Sequence, residues 1–92
     1  DIWIRKKSRY LDLYIEYSVE KGAFSGLLRY AREHQLEVSN IRVNKGFFGY
    51  ERDGRPGTLS YTVTVSSQIH RTHAEIIEIL AHEKGVQFIE EL

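Results

Sequence analysis

His70 and His73 stand three residues apart with Glu75 close behind, a spacing at which two imidazoles on one helical turn could share a metal ion. No third ligand follows at motif spacing. His73 also falls on the apolar stripe of the helix that begins there, so a core-edge or capping histidine is the competing reading. His34 and His82 lie towards helix ends, where a partial positive charge suits the dipole. Nucleophilic chemistry finds less support. The chain has no cysteine, and Ser25, Ser39, Ser60, Ser66 and Ser67 sit in no nucleophile-elbow sequence. Neither phosphate-binding glycine motif is present. The carboxylates are many and read as members of solvated faces. The expectation is a chain that is not an enzyme and takes no cofactor and no metal.

Phe47, Phe48 and Tyr50 lie in a glycine-rich stretch flanked by Arg42, Lys45, Arg52 and Arg55. Three rings left in water would mark a contact surface. The alternative is that the flanking strands run on past Gly46 and the rings cover the open face of a sheet. The same stretch, Lys45-Gly46-Phe47-Phe48-Gly49-Tyr50, loosely matches the aromatic motif of RNA-recognition domains, and Leu13-Tyr14-Ile15 matches the motif of their first strand. Position argues against that assignment. The hexapeptide precedes the third strand, whose open face is Ser and Thr, and Asp12 and Glu16 would repel phosphate. Thirteen basic and thirteen acidic residues cancel, so no net charge draws the chain to nucleic acid. No nucleic-acid partner is expected.

The charge is nevertheless uneven. Arg5, Lys6, Lys7 and Arg9 follow directly on Ile2-Trp3-Ile4, while Glu75, Glu78, Glu83, Glu90 and Glu91 gather near the other end. An apolar-aromatic start that switches to a basic cluster is how a chain looks on leaving a membrane on its cytoplasmic side, with Trp3 at the interface. A frayed, solvated tail is the alternative. The chain has no methionine, which reads as a piece of a longer protein. No apolar run approaches the length of a transmembrane helix.

These residues must be positioned by a small set of elements. In LDLYIEYS, Leu11, Leu13, Ile15 and Tyr17 alternate with polar neighbours and predict a half-buried strand. Gly22 allows the chain to reverse, and Phe24, Leu27, Leu28 and Ala31 recur at helical spacing, predicting a helix that ends near His34-Gln35. Leu36, Val38, Ile41 and Val43 form a second strand whose alternation slips by one residue at Ser39-Asn40, the mark of a bulge or a late start. Residues 44–57 read as a long hairpin connection. Leu59, Tyr61, Val63 and Val65 give the clearest strand. Thr72-His73-Ala74-Glu75 fits a capping box, and Ile76, Ile77, Leu80 and Ala81 share one face of the helix after it. Gly85 is expected in a left-handed helix cap, and residues 86–92 as a last strand with Phe88 inward. The order is βαββαβ: an α+β, ferredoxin-like domain over residues 10–92, with residues 1–9 as a juxtamembrane linker or tail. Its four-stranded antiparallel sheet carries both helices on one face, with strands one and three central.

Glu20-Lys21-Gly22-Ala23-Phe24-Ser25-Gly26-Leu27-Leu28 resembles the first loop and helix of ACT domains, with Lys21 where those commonly have proline. The resemblance implies an ACT-like fold and a candidate small-ligand loop at Glu20, Lys21, Gly22 and Ala23. A wider likeness runs from Arg5-Lys6-Lys7 through LDLYIEYS, EVSNIRV and LSYTVTV to Glu83-Lys84-Gly85-Val86-Gln87-Phe88-Ile89-Glu90-Glu91. Over that span the chain is similar to the cytosolic C-terminal domain of the MgtC/SapB family of bacterial membrane proteins.

That second resemblance implies a regulatory or assembly domain on the cytoplasmic face of the inner membrane, in a family linked to magnesium limitation and virulence. It would act through protein–protein contacts, with the membrane part of its own chain or another membrane protein as partner. The alternative is a stand-alone sensor of a small ligand such as an amino acid. Strand two, Leu36–Val43, carries few of the charges and none of the prolines that guard an edge, so an edge-strand homodimer is expected. Trp3, Arg5, Lys6, Lys7 and Arg9 would lie beside the membrane, and Phe47, Phe48 and Tyr50 would form an interaction surface.

Overall fold

Strand β1 (Tyr10–Ser18) runs through the middle of the sheet, and its alternation carries through to three dimensions. Leu11, Leu13, Ile15 and Tyr17 are all buried, while Tyr10 and Asp12 between and before them are exposed. The computed structural model describes residues 9–21, 23–44 and 57–92. After β1 come a short 3-10 turn (Val19–Lys21), helix α1 (Ser25–Glu33), strands β2 (Leu36–Asn44) and β3 (Thr58–Ser67), helix α2 (His73–Ala81) and strand β4 (Val86–Glu91). The strands form one antiparallel sheet in the order β2-β3-β1-β4, so β1 and β3 are central and β2 and β4 are edges. This is the α+β, ferredoxin-like βαββαβ arrangement.

The β1–β3 pairing is unbroken from Tyr10 opposite Ser66 to Ser18 opposite Thr58. It therefore sorts the side chains onto two faces. Leu11, Leu13 and Ile15 meet Val65, Val63 and Tyr61 on the inner face; Asp12, Tyr14 and Glu16 meet Thr64, Thr62 and Ser60 on the open one. Leu27 and Ala31 of α1, with Ile76 and Leu80 of α2, close the inner face into one cluster. Burying one such side chain is worth about 1.5–3 kcal/mol.

Each helix starts by a different device. α2 has the full capping box: Thr72 Oγ1 accepts from Glu75 N at 3.1 Å, and Thr72 N donates to Glu75 Oε1 at 2.8 Å. α1 has Phe24 at its cap and no side-chain cap bond. Packing takes the place of capping there. The Phe24 ring stacks on Tyr61 at 3.7 Å between centroids and meets Tyr17 edge-on at 5.5 Å. α1 stops at Glu33, after which Gln35 turns the chain with φ 58°.

Two register shifts shape the edges. In β2 the pairing moves from Ser39 opposite Thr64 to Arg42 opposite Thr62, and Asn40 takes φ 50°, the bulge that the alternation predicts. In β4 the pairing moves from Phe88 opposite Glu16 to Val86 opposite Tyr17. That extra residue overturns the expected inward Phe88. Val86 and Ile89 pack on the core, and Phe88 lies half-exposed on the open face, edge-on to Tyr14 at 6.0 Å. Gly85 also departs from expectation. Its backbone is not left-handed; a Cβ there would overlap the ring of Tyr17.

Candidate functional site

Tyr17 is the last inward residue of β1, and its ring passes under the turn that joins α2 to β4. Its hydroxyl donates to Glu83 Oε2 at 2.9 Å, and the backbone N–H of Gly85 donates to Glu83 Oε1 at 2.6 Å. Glu83 is only 7% exposed. Its burial overturns the reading of Glu83 as one of a solvated acidic group. Burial, and then the neighbouring carboxylate, push the Tyr17 hydroxyl up to about 12, so it remains a neutral donor.

A cavity of about 440 Å³ opens over this pair, between α1 and the α2–β4 turn. Gly26, Arg29, Tyr30 and Glu33 line it from one face of α1, and His82, Glu83 and Lys84 from the turn. Residue 26 decides access. A Cβ built on Gly26 would stand 3.6 Å from Tyr17 Oη and 3.8 Å from Glu83 Oε2, so a larger side chain would cover both. At the back, Tyr30 Oη donates to the Ile79 carbonyl at 2.7 Å and ties α1 to the end of α2.

The predicted ligand loop only partly meets this cavity. Glu20 is exposed in the 3-10 turn that ends at Lys21, and Gly22 lies outside the described residues. Ala23 is exposed and lines the cavity wall. Tyr17 and Glu83 escaped the sequence reading because they are 66 residues apart and each has an ordinary local explanation, a strand residue and a surface acid.

A second feature is the free side of β2. Val43 sits opposite Tyr61 and so faces the helix side of the sheet, and Ile41 shares that face by alternation. Ile41 is nevertheless 42% exposed and Val43 54%. Leu36 and Val38 hold the same face at the other end of the strand, where they join the core. Glu37 and Arg42, opposite Ser66 and Thr62, project from the open face.

The other predicted residues divide as follows. Phe47, Phe48, Tyr50, Trp3, Arg5, Lys6 and Lys7 lie outside the described residues; Arg9 is exposed and directly precedes β1. His70 is exposed, and His73 opens α2 with its Nδ1 2.8 Å from Glu91 Oε2. Among the described residues no three His, Cys, Asp or Glu side chains are grouped to hold a metal ion, and no helix is long and apolar enough to cross a membrane. No protein-family model matches the chain, and no curated protein matches it.

Proposed function

We propose that this chain is a regulatory or assembly domain that works by pairing its β2 edge with β2 of a second copy. The observation that carries the proposal is the order of side chains along that edge. Place a two-fold axis between Ser39 and Asn40 and run the copies antiparallel. On the helix side Leu36 then meets the partner's Val43, and Val38 meets the partner's Ile41. On the open face Glu37 meets the partner's Arg42. Each contact occurs twice, apolar with apolar and acid with base, and the bulge falls at the axis.

An exposed edge offers unpaired backbone groups to another strand, and β2 lacks the proline or inward charge that guards against this. Cross-strand pairs of these types contribute about 0.2–1 kcal/mol each beyond the backbone bonds. In the context that the sequence resemblance implies, such a pair would sit beneath the inner membrane of a bacterial protein of MgtC/SapB type. Trp3, Arg5, Lys6, Lys7 and Arg9 would then lie towards the lipid, and Phe47, Phe48 and Tyr50 towards the membrane part or another membrane protein. Multi-angle light scattering over a concentration series tests the pairing itself. A dimer mass that Val43→Lys returns to the monomer supports it; a dimer indifferent to that change excludes β2.

The cavity above Tyr17 and Glu83 favours a second reading, a small-ligand sensor. A recess of about 440 Å³ falls in the range of small-molecule sites. A thermal-shift screen of small metabolites tests it, since a ligand at about 100-fold its Kd adds about 2.7 kcal/mol of stability.

A further inference from the structure

We propose that the β4 side of the sheet is an interface for an extended basic segment of a partner protein, with two basic side chains on the open face and an apolar one between them. Pairing through β2 leaves this surface free, so the two readings stand or fall independently.

The edge supplies the backbone. β4 pairs with β1 on one side and, among the described residues, with nothing on the other. Its outer amide and carbonyl groups can therefore take an added strand. Glu90 lies opposite Tyr14 and Phe88 opposite Glu16, so both belong to the open face, whereas Ile89 lies opposite Ile15 and packs on the core. Acidic side chains on an edge deter most strands, and the same charges select one whose side chains are basic.

The face beside that edge has the same bias. Asp12, Glu16 and Glu90 have no ion-pair partner among the described residues. β1, β3 and β4 contain no lysine or arginine, and Arg42 stands on β2 at the far edge. Phe88 is half-exposed and edge-on to Tyr14. An exposed ring next to carboxylates suits a guanidinium, which stacks on the ring while its N–H groups reach the acid. In the added strand, an arginine beside Phe88 points across the ring to Glu16. A second basic residue two positions along meets Glu90, and the residue between them shares the side of Ile89.

Ser60 is an independent sign of a missing partner. It lies opposite Glu16 on the open face, is 0% exposed, and its hydroxyl makes no hydrogen bond. The Tyr14 hydroxyl stands beside it but donates to Glu16 Oε2 at 2.7 Å. An arginine that takes the Glu16 carboxylate releases Tyr14 to meet Ser60, so binding answers a polar group that the free chain leaves unmet.

The test is fluorescence anisotropy of a labelled nonapeptide, its centre alternating arginine and valine, titrated with the 92-residue chain. A peptide of the same composition with its arginines adjacent, and one with glutamate for arginine, are the comparisons. Saturable binding of the alternating peptide is expected, weakening as salt rises, with both comparison peptides weaker by about tenfold or more. Phe88→Thr and the double change Glu16→Gln, Glu90→Gln should each weaken binding by a similar factor at a thermal midpoint near the parent's. Ser60→Ala should weaken it several-fold with the midpoint equal or higher, because its hydroxyl has no bond to lose in the free chain. Glu78→Gln, an exposed acid on α2, should change nothing. Equal binding of the peptide with adjacent arginines overturns the extended, alternating segment. A Glu78→Gln loss as large as the open-face loss overturns the site, and unchanged binding by Ser60→Ala overturns the part given to Ser60. No saturable binding of the alternating peptide overturns the whole proposal and leaves the β2 reading untouched.

Discussion

Gly85 lies flat against the ring of Tyr17, so close that a Cβ on residue 85 would overlap three of the ring carbons. The contact closes the bottom of the α2–β4 turn and lets Gly85 N reach Glu83. Gly85→Ala must therefore move either the start of β4 or the Tyr17 ring. Overpacking of this kind costs about 1–3 kcal/mol. A lowered thermal midpoint is expected, whereas Gly26→Ala, whose Cβ finds ordinary contact distances, should raise it slightly.

Removing the Tyr17 hydroxyl tests the Glu83 cluster separately from packing. Tyr17→Phe keeps the ring against Gly85 and Phe24 but leaves a buried carboxylate oxygen without its donor. The expected loss is about 1–3 kcal/mol in urea unfolding, with an unchanged denaturant slope. A variant as stable as the parent would show that water replaces the hydroxyl without cost.

The same hydroxyl sets a pH dependence. Its value is about 12 in the folded chain against 10.0 for an ordinary tyrosine. The folded state therefore holds the proton more tightly. Its contribution is complete below pH 10 and is lost as the pH rises from there through 12. Burial raises Tyr61 and Tyr30 in the same direction. Urea midpoints should fall as the pH rises above 10, and Tyr17→Phe should flatten the fall. A profile that is level to pH 12 would contradict the buried hydrogen bond.

Much of the fold is legible in the sequence because its signals are local. The alternation from Leu11 to Tyr17, the capping box at Thr72 and the slip at Asn40 each need only a few neighbouring residues to be read. Phe88 was not legible in that way. Its face depends on the register shift between β1 and β4, which no residue within β4 announces. Gly85 looked like a helix cap because glycine commonly ends helices, yet its position is set by a tyrosine 68 positions earlier. Glu83 failed for the same reason. Its burial comes from a ring and a glycine on other elements, so a composition that rightly places most acids outside misplaces this one.

Pairing through β2 is the central claim, and a charge exchange tests its register most directly. The measurement is sedimentation equilibrium of the parent chain, Glu37→Arg, Arg42→Glu and the double variant. In the proposed register each single change sets like charges against each other twice across the axis, and the double change restores opposite charges. The account predicts dimers for the parent and the double variant, and a shift towards monomer for both single variants. A parent chain that is monomeric at every concentration, or four proteins with the same association constant, would contradict it.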